Sequence, residues 1–112
     1  MQIDPQGWTS VIAAGELHDG DPTRVDAFGI AVLLLRTDDR ILAVADRCTH
    51  QGAPLHRGVV KSRGSDPTVT CPAHGSVFAL VDGRVRRGPA TRAVQAFEAR
   101  VNEGMIELRP LS

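Results

Sequence analysis

Cys48-Thr-His50, a gap of 20 residues and then Cys71-Pro-Ala-His74 constrain this chain more than any other feature. Each cysteine is followed by a histidine two or three residues on, so one short loop can present both donors of a pair. Two thiolate sulfurs and two imidazole nitrogens suit a four-ligand metal site. A single disulfide, or two inert buried thiols, would account for the cysteines but for neither histidine nor the doubled arrangement. Structural zinc, tetrahedral and closed, would use the same four donors.

The flanking residues narrow the choice. Cys48-Thr-His-Gln-Gly-Ala-Pro-Leu55 and Cys71-Pro-Ala-His-Gly-Ser-Val-Phe78 closely resemble the two cluster-binding loops of Rieske iron–sulfur proteins, and the resemblance extends weakly from about Trp8 to Leu108. It implies one [2Fe–2S] cluster per chain, with Cys48 and Cys71 on one iron and His50 and His74 on the other. Zinc requires neither the glycine- and proline-bearing surroundings nor Ser76. Two ferric ions, two sulfides and two thiolates sum to a formally neutral site, whereas four thiolates would start at minus two. An electron enters the less negative site more easily, and Rieske centres span about −150 to +300 mV.

The same resemblance assigns the surroundings. In the quinol-oxidising branch of the family an extra cysteine in each loop forms a disulfide; the matching residues here are Ala53 and Ala73. Ser76 matches a hydroxyl that hydrogen-bonds sulfur and raises the potential, while Phe78 stands where that branch has a tyrosine. These departures place the expected potential in the lower half of the range, with Ser76 acting upward. Gly52 and Gly75 either let backbone amides approach the sulfurs or serve as ordinary turn glycines. Pro54, Pro72 and Gly88-Pro-Ala90 resemble the rigid loops around the cluster. His50 and His74 are then the electron exit, and Gln51, Leu55 and the Pro89 loop the docking rim. His56 matches no ligand position and reads as an exposed rim residue; His18 reads as solvated. The gap between His50 and Cys71 is a few residues longer than usual, and the polar Lys61-Ser-Arg-Gly-Ser-Asp-Pro67 segment can absorb the excess as an outward bulge.

Charge and length bound the function classes. Thirteen basic residues balance thirteen acidic ones, which gives no reason to expect nucleic acid or an anionic membrane as partner and leaves any steering local. The longest apolar run, Phe28 to Leu35, is far short of the roughly 20 residues of a spanning helix. No basic start or apolar stretch marks a secretory signal, so a cytoplasmic, thiol-preserving setting is the default. The 112 residues suit a single domain, with the cluster-binding subdomain at roughly 46–76.

No helical period of useful length appears, and the pattern predicts an all-β fold of short antiparallel strands. Residues 1–7 read as a loose leader, and Trp8 to Ala13 as a first strand whose indole caps the core. Glu16 to Pro22 is a turn-rich loop, Thr23 to Ala27 an edge strand, and Ile30 to Leu35 a strand covered on both faces. Arg36 to Arg40 forms a polar turn, and Ile41 to Ala45 leads into Cys48. Val77–Val81 and Arg84–Arg87 flank Asp82-Gly83, a two-residue hairpin signal. Gln95 to Val101 alternates as a half-buried strand, and Asn102-Glu-Gly104 turns the chain into Met105 to Leu108, with Ile106 and Leu108 inward.

No residues form a substrate-converting constellation, so the chain reads as an electron carrier rather than an enzyme. The resemblance implies a small Rieske ferredoxin passing electrons from a flavoprotein reductase to a terminal oxygenase of an aromatic-ring hydroxylating system, or to another redox acceptor. A Rieske subunit or excised domain of a larger redox enzyme, similar to a nitrite reductase small subunit, is the second expectation, and a structural zinc module the third.

Overall fold

Ten short β-strands carry the chain in the computed structural model, which describes residues 2–111. β1 (Thr9–Ala13), β2 (Thr23–Ala27), β3 (Ile30–Thr37) and β4 (Arg40–Ala45) come first. β5 (Val59–Lys61), β6 (Thr68–Thr70), β7 (Val77–Ala79) and β8 (Val85–Arg87) then form a smaller antiparallel sheet in chain order. β9 (Ala96–Asn102) and β10 (Met105–Pro110) return to the first strands and complete a six-stranded sheet in the order β1-β10-β9-β4-β3-β2. Every strand pairing is antiparallel.

Residues 46–95 are therefore one insertion between two adjacent strands. Its stem is closed by the β4–β9 pairs Ala43↔Phe97 and Val44↔Ala96, and by the Ala45 amide donating to the Gln95 carbonyl at 2.8 Å. Both Cys–His loops hang from this stem. The small sheet runs on past the second loop to Arg87.

The central strands explain the continuous apolar run. Val32, Leu33, Leu34 and Leu35 are all fully buried, because alternate side chains enter opposite cores. Leu33, Leu35, Leu42 and Val44 pack with Leu55, Val69, Phe78 and Leu80 beneath the insertion, in the same cluster as Cys48 and Cys71. Val32, Leu34 and Ala43 pack on the far face with Phe97, Ile106 and Leu108. Burial of each such side chain stabilises by about 1.5–3 kcal/mol, so the strand that leads into Cys48 is anchored on both sides.

Several local expectations need correction. The β3–β4 hairpin extends to the pair Thr37↔Arg40, leaving only Asp38-Asp39 as the turn. Asp82-Gly83 is not a two-residue turn: Ala79 and Arg84 close a wider loop, and of the two residues only Gly83 has positive φ. The leader, over residues 2–7, is folded back rather than loose. The Asp4 carboxylate accepts from the amides of Gln6 and Trp8 at 2.9 Å, and Trp8 is buried with the Arg100 and Arg109 guanidinium carbons 4.3 and 4.5 Å from its ring. Met1 lies outside the described residues. The 61–67 segment runs from the last residue of β5 through the β5–β6 connection and does not simply bulge out. Pro67 is fully buried, the Thr37 hydroxyl donates to the Ser62 carbonyl, and the Leu80 amide donates to the Pro67 carbonyl at 2.9 Å. Along β9, Phe97 is buried as expected, but Val101 is half exposed near the strand end.

Candidate metal centre

Both Cys–His loops are built on one backbone pattern. The Cys48 amide donates to the Ala53 carbonyl at 2.9 Å and the Gly52 amide to the Cys48 carbonyl at 2.8 Å. In the second loop the Cys71 amide donates to the Ser76 carbonyl at 2.7 Å and the Gly75 amide to the Cys71 carbonyl at 3.2 Å. Each loop thus closes over six residues, with cysteine first and glycine fifth. The glycines supply backbone freedom: Gly52 and Gly75 sit at φ 78° and 80°, where an L side chain is strained. Room is not the constraint at Gly75, since a Cβ there would meet nothing closer than 4.0 Å.

This closure turns the thiols inward and the imidazoles outward. Cys48 and Cys71 are 2% and 3% exposed and form no disulfide. They lie close enough for a hydrogen bond between their side chains. His50 and His74 are exposed, with ring centroids 5.4 Å apart and ring planes at 87°. The four sequence-predicted donors are therefore brought together as two buried sulfurs and two surface nitrogens. Among the described residues no three His, Cys, Asp or Glu donors converge on a single-ion position.

The electrostatics at Cys48 favour the thiolate. Burial pushes its thiol upward, but the backbone amides of His50 and Gln51, the Cys71 side chain and the Ser76 hydroxyl outweigh that and hold it below the usual thiol value. Ser76 is fully buried, and its oxygen accepts from the Ala90 amide at 2.9 Å. That bond leaves the hydroxyl proton free to point at the Cys48 sulfur.

A third loop, 88–92, straddles the other two. Ala90 is held by Ser76 from the second loop, and the Arg92 carbonyl accepts from the Thr49 hydroxyl of the first at 2.6 Å. Pro89 is exposed and follows a cis peptide. Gln51 and Ala73 are exposed, Ala53 packs half-buried against the core, and Phe78 is fully buried. Leu55 is not on the rim: it is fully buried beneath the loop.

His56 also departs from expectation. Its Nδ1–H donates to Asp46 Oδ2 at 2.5 Å and its amide to Oδ1 at 2.6 Å, while the Asp46 side chain is 1% exposed. The pair ties the start of the first loop to the Leu55–Arg57 3-10 turn at its end. Asp46, a carboxylate at the end of an apolar strand, was the available sequence signal; nothing marked Thr49, and Ala90 was marked only as part of the Gly88-Pro-Ala90 loop.

A family model described as Rieske [2Fe-2S] domain matches residues 7–98. Ferredoxin CarAc of Metapseudomonas resinovorans is 33% identical over 102 residues, covering 90% of this chain and 92% of the relative. The solved ferredoxin of carbazole 1,9a-dioxygenase from Nocardioides aromaticivorans IC177 superposes with a TM-score of 0.84 at 27% identity, covering 94% of this chain and 99% of its own. A ferredoxin in a complex of reduced oxygenase and oxidized ferredoxin in carbazole 1,9a-dioxygenase superposes at 0.80 with 30% identity, covering 93% and 94%.

Proposed function

The chain belongs to the Rieske [2Fe-2S] domain family, and from that premise we propose that it is the ferredoxin of a ring-hydroxylating dioxygenase system, holding one cluster through Cys48, Cys71, His50 and His74. It is an electron carrier, not itself a catalyst, like the ferredoxins it resembles. The observation that carries the ligand assignment is the segregation of donors, two adjoining thiols at 2% and 3% exposure beneath two surface imidazoles. When bound, the cluster supplies one-electron chemistry of moderate potential.

The chain's own residues do the rest. Leu55, Val69, Phe78 and Leu80 keep water from the cysteines, while amide and hydroxyl protons at His50, Gln51 and Ser76 offset thiolate charge. With Phe78 offering no hydroxyl, Ser76 is the one side chain in this reading that raises the potential, which stays in the lower half of the Rieske range. His50 and His74 present their edges at the surface, with Gln51 and Pro89 exposed beside them. The electron comes from a flavoprotein reductase and leaves for a terminal oxygenase; the oxygenase–ferredoxin complex of the carbazole system supports that acceptor. Two free cysteines fit a reducing, cytoplasmic setting, and no helix among the described residues is long and apolar enough to cross a membrane.

Electron paramagnetic resonance of the dithionite-reduced protein tests this. Mixed thiolate–imidazole ligation gives a lower average g value than four thiolates, with iron and sulfide present in equal amounts. Anaerobically purified protein without iron or sulfide after reconstitution, or a colourless zinc form, overturns it.

A further inference from the structure

The balanced total charge hides a division between the two parts of the fold. Of the thirteen cationic side chains, eight lie within the 46–95 insertion beside three carboxylates; the six-stranded base has five cations against ten carboxylates. The insertion thus carries a side-chain charge of about +5 and the base about −5 with histidines neutral. Within the insertion the compensation is uneven. Asp66 and Asp82 pair with Arg84 and Arg86, on and beside β8. Asp46 is buried against His56. Among the described residues, no ion pair joins Arg47, Arg57, Arg87 or Arg92 to a carboxylate.

These four arginines are exposed, and three of them lie beside His50 or His74. The Arg47 guanidinium lies over Gly52, 3.1 Å from where a Cβ would stand. Arg47 and Arg92 line the cleft that holds His50 and Gln51. Arg87 donates to the Gly75 carbonyl at 3.5 Å, next to His74, and Arg57 ends the 3-10 turn after the first loop. We propose that Arg47, Arg57, Arg87 and Arg92 form a cationic collar around His50 and His74 that docks the electron acceptor through carboxylates on the acceptor's surface. The proposal rests on the ferredoxin reading above. Guanidinium forks match carboxylates in bidentate geometry, and a charged rim around a redox edge acts chiefly on encounter rate and orientation. A molecule without net charge can be steered only through such an asymmetry.

Small oxidants of opposite charge test the collar without a protein partner. Reduced protein is mixed with hexacyanoferrate(III) or tris(1,10-phenanthroline)cobalt(III), and the second-order rate is followed from about 10 to 500 mM salt. The collar predicts that the rate with the anion falls roughly threefold or more as salt rises, while the rate with the cation does not fall. Replacing the four arginines by glutamine removes the salt dependence; Arg24→Gln, on the base, leaves it in place. As a readout without electron transfer, the protein should bind a sulfonated cation exchanger at about pH 8, above its sequence pI of about 6.9, and the fourfold variant should not. Should the fourfold variant lose its cluster, Arg57→Gln and Arg92→Gln singly must each lower the salt slope. A cluster-loaded protein whose rates ignore salt, or which favours the cation at low salt, overturns the collar alone. A protein that holds no cluster overturns the ferredoxin reading instead, and the exchanger result then still decides whether the collar exists.

Discussion

Ser76 performs two tasks with one hydroxyl, and the two separate on mutation. Its oxygen accepts from the buried Ala90 amide and its proton is directed to Cys48 sulfur. Ser76→Ala orphans that amide, a cost of about 1–3 kcal/mol in stability, read as a lower urea midpoint. It also removes a hydrogen bond that stabilises the more negative, reduced state, so the potential falls. A differential of about 1 kcal/mol corresponds to roughly 40 mV for one electron, measurable by protein-film voltammetry; an unchanged or higher potential would mean that the hydroxyl does not serve sulfur. His56→Ala separates differently. It leaves the Asp46 carboxylate buried with its backbone partner alone, and the expected loss is about 1–3 kcal/mol in thermal or urea unfolding. An exposed rim histidine would cost almost nothing.

At the scale of the element, the recurring unit is the six-residue closed loop. The Cys48–Ala53 and Cys71–Ser76 pattern appears a third time, with no cysteine or histidine: the Ala79 amide donates to the Arg84 carbonyl at 2.9 Å and the Gly83 amide to the Ala79 carbonyl at 2.8 Å. Here the glycine is also sterically required, because a Cβ on Gly83 would stand 2.0 Å from the Val94 carbonyl oxygen. Gly83→Ala combines positive φ with this backbone clash and should cost about 2–4 kcal/mol. Gly64→Ala, also at positive φ but with nothing within 4 Å, should cost only about 1 kcal/mol. Equal urea midpoints for the two variants would refute the steric account. The two Cys–His pairs were legible in the sequence because residue identity and spacing are local. The β3–β4 core was legible too, since an uninterrupted apolar run has few other places to go. The third loop copy was not, since Ala79 and Arg84 close it with backbone groups that any residue offers. β5 and β6 escaped for a related reason: three residues each are too few to display a period of two, and Gly58, whose Cβ would lie 1.9 Å from the Thr70 carbonyl oxygen, reads as an ordinary loop glycine. The Asp46–His56 contact joins residues ten apart through a 3-10 turn that no periodicity announces.

Over the whole molecule, charge asymmetry acts on the protein's own copies as well as on a partner. The principal extents are 39 × 26 × 21 Å, and the Debye length is about 30 Å at 10 mM ionic strength but about 8 Å at 150 mM. At low salt the opposed charges of insertion and base are therefore felt across the molecule, and at physiological salt they are screened. With no net charge there is no monopole repulsion to keep copies apart, so the surviving force between two molecules is attraction of one copy's insertion for the other's base. The osmotic second virial coefficient, measured by light scattering or sedimentation equilibrium near pH 7, should be negative at about 10 mM salt and rise toward zero or above by about 150 mM. Glutamine at Arg47, Arg57, Arg87 and Arg92 removes four of the eight insertion cations and should abolish the low-salt attraction by giving the molecule a net negative charge. Repulsion between wild-type molecules at low salt would show that the two charge sets do not act as separate poles.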